Sequence, residues 1–217
     1  QLLSSPKERY KKYPLGLAYC AGCSLVQLTH VVPASEMYRS YPYATGSSAV
    51  HAEHFTKMAS DVIGFAGIDL DDPAYAEGLE APLVLDIGSN DGTLLKAFER
   101  LGFRGRGVEP ASNLAKIASD NGITTYNLFF NQRFADWFVK DQGQAEIVTA
   151  TNVLTHIDDL DGFLRAVKMV LKRGGWFVVE IYYLMSIVKG NLWDMVYHEH
   201  LTYLTVHTLK DLMERRG

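Results

Sequence analysis

The apolar positions of this chain change their rhythm at two places. Up to about residue 50 they come in short runs, Leu25-Val26 and Val31-Val32, among many Tyr, Ser and Pro residues. Such runs are too brief to bury much core by themselves. From His54 to about Ile68 the pattern is helical, with Phe55, Met58, Ala59, Val62 and Ile63 at the i, i+3, i+4, i+7 and i+8 positions. An acidic loop with Gly and Pro, Asp69 to Pro82, follows. After Pro82 short apolar runs alternate with helix-period stripes. Leu83 to Ile87 is continuous and apolar around one acid, as in a strand buried on both faces. Leu94, Leu95, Phe98 and Leu101 predict a helix, and residues 105–109 a second strand. Ser112 is placed to cap a helix carrying Leu114, Ile117 and Ala118, which Gly122 stops. Ile123 to Tyr126 reads as a third strand, Phe134, Trp137 and Phe138 as a helix face, and Ile147 to Ala150 as the fourth strand. The stripe from Leu160 to Leu171 predicts a long helix ended by Gly174-Gly175, with Trp176 to Ile181 as the fifth strand. This alternation implies right-handed crossovers and a mainly parallel sheet. No internal repeat or low-complexity tract interrupts it. The chain thus divides into residues 1–50, a helical linker over 51–80, and an α/β domain over 81–217.

Composition narrows the function. Hydrophobic residues are 47% and charged residues 21% of the chain, which excludes disordered, collagen-like and coiled-coil classes. A formal net charge of −4 argues against a nucleic-acid partner bound by phosphate neutralisation. No run of about 18 apolar residues is present, so no membrane-spanning helix is expected. The chain opens on Gln1, with no Met and no apolar signal segment, so Gln1 is not expected to be the native start. Its two cysteines, spaced Cys20-x-x-Cys23, point to metal or redox chemistry in a reducing, cytoplasmic compartment.

The first strand runs into its helix through Asp86-Ile87-Gly88-Ser89-Asn90-Asp91-Gly92. Gly88 and Gly92 let backbone approach a ligand, and the helix N-terminus favours negative charge. Glu109 closes the second strand, where an acid can accept from both hydroxyls of a ribose. A plain tight turn is the competing reading, but the glycines, Asp86 and Glu109 in these contexts favour a nucleotide. The turn does not fit the dinucleotide pattern G-x-G-x-x-G, and Asp86 stands where a pyrophosphate would lie. A carboxylate there suits a ligand with a sulfonium and an amino group. The turn resembles motif I of class I S-adenosylmethionine-dependent methyltransferases. That resemblance implies a cofactor set of Asp86, Gly88, Asn90, Gly92, Glu109, Pro110, Phe130 and Asn152. Glu109 would hold the ribose, Phe129-Phe130 would lie near the adenine, and residues 150–154 would flank the methionine part.

Four further segments narrow the resemblance: Cys20-Ala21-Gly22-Cys23 followed by Leu25 to Leu28, Tyr41 to Ser48, Asn152 to Ile157, and Tyr197-His198-Glu199-His200-Leu201-Thr202-Tyr203. Together they resemble the sugar C-methyltransferases, which act on nucleotide-linked, typically dTDP-linked, 4-keto-deoxysugars. The resemblance covers nearly the whole chain, and Y-H-E-H-x-x-Y is its most specific element. It implies an α/β, Rossmann-like class I methyltransferase fold with a mainly parallel sheet. Family members carry a four-cysteine zinc-binding N-terminal domain and extend well past residue 217. The chain therefore looks like an internal fragment, truncated at its C-terminus, with a small zinc-ribbon-like remnant at its N-terminus. Structural zinc is expected in the intact protein, with Cys20 and Cys23 as two of its ligands. A redox pair is the other reading of these cysteines.

His198 and His200 are also open to a metal reading, because alternate strand residues face the same way, and to a reading as satisfied histidines of a polar loop. Acid–base chemistry takes precedence, since two imidazoles, a carboxylate and a phenol fall within four residues. His156 follows the fourth strand, at the carboxyl end of the sheet where ligands bind. The Thr-Gly-Ser-Ser turn after Tyr43 suggests a lid. Methylating carbon beside a ketone requires a base for the α-proton and donors for the enolate. The expected division is His200 as base, Glu199 orienting or tuning an imidazole, Tyr197 and His156 donating to the keto oxygen or relaying protons, and Tyr43 helping to close the site. Oxygen or nitrogen methylation of a small molecule is the alternative, followed by a noncatalytic cofactor-binding fragment. Asp86 disfavours a nicotinamide-dependent dehydrogenase. The intact protein is expected to be a monomer, while the fifth strand of the fragment, left as an apolar edge, would invite self-association.

Overall fold

The computed structural model describes residues 11–70 and 81–215. Gln1, Gly217 and most of the acidic loop between Asp69 and Pro82 lie outside the described residues. The chain forms two compact units.

The smaller unit contains described residues 11–38, 155–158 and 181–215. Strands β1 (Leu17–Tyr19) and β2 (Val26–Leu28) form an antiparallel hairpin, and α1 (Ala34–Met37) is a single turn. The hairpin alone would leave Val26 and Leu28 in water. They are covered by residues from the far end of the chain, where β8 (Thr202–Tyr203) pairs antiparallel with β2. Leu28, Ile187, Leu201 and Tyr203 form a core joined by Val26, Leu184, Met195 and Val196. Two helices complete this unit, α7 (Leu184–Gly190) and α8 (Val206–Glu214), the latter opened by a reciprocal Thr205–Thr208 capping box. The division therefore differs from the one read in the sequence. Residues 155–158 and 181–215 fold with the N-terminal hairpin because its few apolar residues need theirs for a core.

The larger unit spans residues 39–154 and 159–180. It opens with α2 (Ala49–Ala66), which starts five residues before the predicted His54 because Ser48 caps it, accepting from the His51 amide. Then β3 (Leu83–Ile87), α3 (Thr93–Arg100), β4 (Arg104–Val108), α4 (Ser112–Asp120), β5 (Thr125–Tyr126), α5 (Gln132–Gln142), β6 (Ala145–Thr151), α6 (Leu160–Val170) and β7 (Leu171–Glu180) alternate along the chain. The five strands are parallel, in the order β5-β4-β3-β6-β7. All five residues of β3 are buried, as a strand covered on both faces requires. Phe55, Ala59 and Val62 of α2 pack with Leu94, Leu95 and Phe98 of α3 and with Val84 and Ile147 of the sheet. Among the described residues β7 pairs on one side only, and Trp176 on it remains 45% exposed.

Two local predictions are corrected. Ser112 is the first residue of α4 and not its cap; its amide and hydroxyl donate to the Arg39 carbonyl. Gly174-Gly175 do not end the preceding helix, which stops at Val170. Leu171 at once pairs with Ala145, the chain bulges, and Trp176 resumes opposite Ile147. The bulge needs glycine: Gly174 has φ +80°, and a Cβ on Gly175 would lie 2.8 Å from the Glu146 carbonyl oxygen. Among the described residues, no helix is long and apolar enough to cross a membrane.

Candidate functional site

In the larger unit the turn between β3 and α3 brings together most of the proposed cofactor residues. Asp86 is buried and accepts a 2.6 Å hydrogen bond from the Thr149 hydroxyl. Burial pushes its carboxyl up to about 7; the Glu109 charge adds to the rise and the Thr149 bond opposes it. Gly88 turns the chain with φ +69° and donates its N–H to the Val108 carbonyl at 2.8 Å. A Cβ there would collide with Cγ2 of Val153, a stiff β-branched neighbour. Gly88→Ala is expected to cost about 2–4 kcal/mol, from the left-handed backbone and overpacking together, measured by urea unfolding. Gly92 caps α3.

Glu109 is buried just past the end of β4, and desolvation raises its pKa. Its carboxylate accepts from the Asn90 amide at 2.9 Å and the Ala111 amide at 2.7 Å. A carboxylate has about four lone-pair sites, so acceptor capacity remains for a ligand hydroxyl. The Asn127 side chain donates to the carbonyls of Glu109 and Pro110, fixing that corner. Asn152 sits beyond β6 with φ +55° and donates its N–H to the Glu180 carbonyl at 2.7 Å. Phe130 packs its ring against Phe134 and Phe163, whereas Phe129 is 40% exposed.

Asn90 does something the sequence did not suggest. Its Oδ1 accepts from the Thr45 amide at 2.9 Å, and its Nδ2 donates to the Tyr43 carbonyl at 3.0 Å. Asp91 Oδ2 accepts from the Gly46 amide at 2.7 Å. The Tyr43–Gly46 segment is therefore fastened to the glycine turn. The signal is the polar pair Asn90-Asp91 before a helix, of which the sequence assigns only Asn90 to the cofactor. The Tyr43 hydroxyl is 2.9 Å from Nδ1 of His51.

The smaller unit assembles the other candidates. His200 is 3% exposed, with Nδ1 2.8 Å from the Met195 carbonyl. A carbonyl only accepts, so Nδ1 carries the proton in the neutral ring. The lone pair then lies on Nε2, 3.1 Å from the Tyr197 hydroxyl, which donates to it. Burial lowers the His200 pKa and pushes Tyr197 up to about 12. The pair thus rests as neutral base and neutral donor. His156 stacks at 5.3 Å on His200 and at 5.6 Å on Tyr38. Burial, and secondarily His200, pull its pKa down to about 3, so it too is neutral. Its buried Nε2 makes no hydrogen bond among the described residues. The Met195 carbonyl orients the His200 ring. The Glu199 charge favours protonated His200.

His198 turns to the Pro14 carbonyl at 3.1 Å. Among the described residues no group of three or more His, Cys, Asp or Glu is placed to hold a metal. Cys20 and Cys23 are free thiols in a tight turn closed by the Ser24 amide on the Cys20 carbonyl at 2.8 Å. A hydrogen bond with the Cys23 side chain lowers the Cys20 pKa. Two ligands are half of a closed zinc site, so the described residues do not make one.

The parallel sheet in the order β5-β4-β3-β6-β7, with an acidic glycine turn after β3 and a buried acid after β4, is the fold of class I S-adenosylmethionine-dependent methyltransferases. The chain belongs to the methyltransferase-domain family, whose model matches residues 54–217. It is similar to the C-methyltransferase NovU of Streptomyces niveus, 30% identical over 205 residues, which are 94% of this chain and 46% of that protein. It is also 36% identical over 101 residues to a ubiquinone biosynthesis O-methyltransferase of a Bradyrhizobium strain, covering 45% of this chain and 38% of that one. The chain thus spans less than half the length of these curated relatives. A crystal structure of a SAM-dependent methyltransferase from Archaeoglobus fulgidus superposes with a TM-score of 0.58 at 18% identity, over 76% of this chain and 68% of that one, a likeness of fold.

Proposed function

We propose that the protein transfers a methyl group from S-adenosylmethionine to a carbon beside the ketone of a nucleotide-linked, dTDP-type deoxysugar. The observation that carries this reading is the pair of buried His200 and half-buried Tyr197, a neutral imidazole with its lone pair on Nε2 and a phenol that keeps its proton. The residues of the glycine turn fit the cofactor. Glu109 keeps acceptor capacity for ribose hydroxyls, and Asp86 is an uncompensated buried acid suited to an ammonium group. When bound, the cofactor supplies an electrophilic methyl group. Glu109→Ala is expected to weaken S-adenosylhomocysteine binding by about 1–3 kcal/mol in calorimetry, the loss of charge-assisted hydrogen bonds.

The Tyr197 hydroxyl turns its proton from Nε2 to the keto oxygen, which frees the one lone pair of Nε2. His200 then takes the α-proton there, the C–H bond breaks, and its electron pair moves toward the keto oxygen, where the phenol donates to the developing oxyanion. Protonated Nε2 donates in turn to the Tyr197 oxygen. His156, neutral, can add a second donor through Nε2. No step of this chemistry passes through zinc.

The test is product structure. The protein is incubated with dTDP-4-keto-6-deoxyglucose and cofactor, and the position of the new methyl is read by NMR. A methyl on ring carbon next to the ketone supports the reading. A methyl on oxygen would transfer the protein to the chemistry named for its Bradyrhizobium relative.

A further inference from the structure

On the larger unit, outside the residues assigned so far, His54 and Glu180 form a pair separated by 126 positions in the chain, with Nε2 2.6 Å from Oε2. Glu180 is the last residue of β7, opposite Thr151 of β6. It therefore stands at the carboxyl end of the sheet, where open α/β folds bind their ligands. Its carbonyl is already held by the Asn152 amide, so the position of its side chain is set by the sheet. His54 lies in the first turns of α2, one turn beyond the His51 that meets Tyr43.

A half-exposed ion pair adds little stability, about 0–1 kcal/mol. Side-chain exposures of 47% for His54 and 36% for Glu180 put the pair in that class. Its geometry has a chemical consequence instead. An ionised carboxylate only accepts, so Nε2 must carry the proton. In the neutral ring Nδ1 is then a lone pair, and it makes no hydrogen bond to any described residue. This differs from His200, whose two nitrogens are both engaged. A carboxylate that fixes the tautomer of an imidazole is how such a ring is aimed at one partner.

We propose that His54, held by Glu180, is a specificity-determining residue that accepts a hydrogen bond at Nδ1 from a hydroxyl of the methyl acceptor. Glu180 is the positioning residue. The proposal rests on the methyltransferase reading but not on which atom is methylated. It selects hydroxyl-bearing acceptors, because an acceptor without that hydroxyl leaves Nδ1 unpaired.

Steady-state methylation of dTDP-4-keto-6-deoxyglucose, and of analogues each lacking one ring hydroxyl, reads the contact. His54→Ala should raise KM about 3–10-fold with kcat within about twofold, the range of one neutral hydrogen bond. For one deoxy analogue the variant and parent should not differ. His54→Asn, which retains an acceptor near the Nδ1 position, should recover most of the loss. Glu180→Ala should reproduce the KM effect of His54→Ala without adding to it. Equal losses on every analogue, or an unchanged KM, would overturn the proposal.

Imidazole 15N spectra with S-adenosylhomocysteine bound keep this separate from the substrate reading. His54 should show protonated Nε2 and unprotonated Nδ1, with Nδ1 moving on addition of the keto-sugar nucleotide. If the parent protein does not methylate the sugar, that reading fails, and a catechol replaces it as the hydroxyl probe. Movement of Nδ1 with the catechol would still support the dyad. Movement with neither probe, or a proton on Nδ1, would sink it.

Discussion

His200→Ala is expected to stop exchange of the proton beside the ketone when protein, keto-sugar nucleotide and S-adenosylhomocysteine are held together in heavy water. Exchange needs the base and the enolate but no methyl transfer, so it isolates the step assigned to His200. Loss of a general base typically costs about 10²–10⁴-fold in rate, and methylation should fall within that range. Cofactor affinity should change little, because His200 is not among the residues proposed to hold the cofactor. The ring is buried, so deletion also leaves the Tyr197 hydroxyl without its imidazole partner and the Met195 carbonyl with the Tyr203 hydroxyl at 3.4 Å. His200→Gln, closer in volume, controls for that, and both variants should be verified as folded by urea unfolding. Methylation that survives within about threefold would remove His200 from the chemistry, since even the low end of base catalysis is larger.

The acid limb provides an independent sign. A base must be unprotonated, so rate falls as pH drops through its pKa. Burial holds the His200 value below the ordinary 6.5, and the limb should therefore fall below that pH. Tyr197→Phe leaves Nε2 without its phenol donor and should lower kcat with little effect on S-adenosylhomocysteine affinity.

Most of the α/β framework was legible because each strand and helix states its own period. Leu83 to Ile87 and the stripe from Leu160 could be read without their partners. What escaped depends on residues far apart in sequence or on backbone atoms. The core of Leu28, Ile187, Leu201 and Tyr203 forms only when the ends of the chain meet, so neither end announced the unit they share. Gly174-Gly175 looked like a helix stop, since a bulge and a stop need the same residue for the same reason. At the site, Tyr197 and His200 stood out by their density of proton-handling groups, and the structure does bring them together. The Met195 carbonyl that fixes the ring is main chain, and no side-chain pattern reveals it. Asn90 looked ligand-facing because residues of such turns often are; its grip on Tyr43 and Thr45 depends on a segment 45 residues away. His54 and Glu180 stand 126 positions apart in the chain, and only the fold brings them within 2.6 Å.

The second large effect belongs to Asp86, and it has opposite signs for folding and for binding. Its pKa rises from 3.8 to about 7 on folding, chiefly because the carboxylate is buried. Between those values the folded protein holds a proton that the unfolded chain has released. Stability from this group is therefore complete below about pH 4, declines as pH rises toward 7, and stays low above it. At 1.36 kcal/mol per unit the decline approaches about 4 kcal/mol. Asp86→Asn can still accept from Thr149 but has no charge to desolvate. It should be more stable than the parent at pH 8 and nearly equal to it at pH 4, in urea unfolding at the two pH values. A cation placed against Asp86 reverses the preference, because it favours the ionised acid. If the ammonium group of S-adenosylhomocysteine lies there, binding should release a proton near pH 6 and little at pH 8. Calorimetry at each pH, in buffers of different ionisation enthalpy, counts that proton. The Asn variant should bind more weakly and release none. A variant that gains stability yet keeps full affinity would place the ammonium elsewhere and leave Asp86 as a buried acid of the sheet.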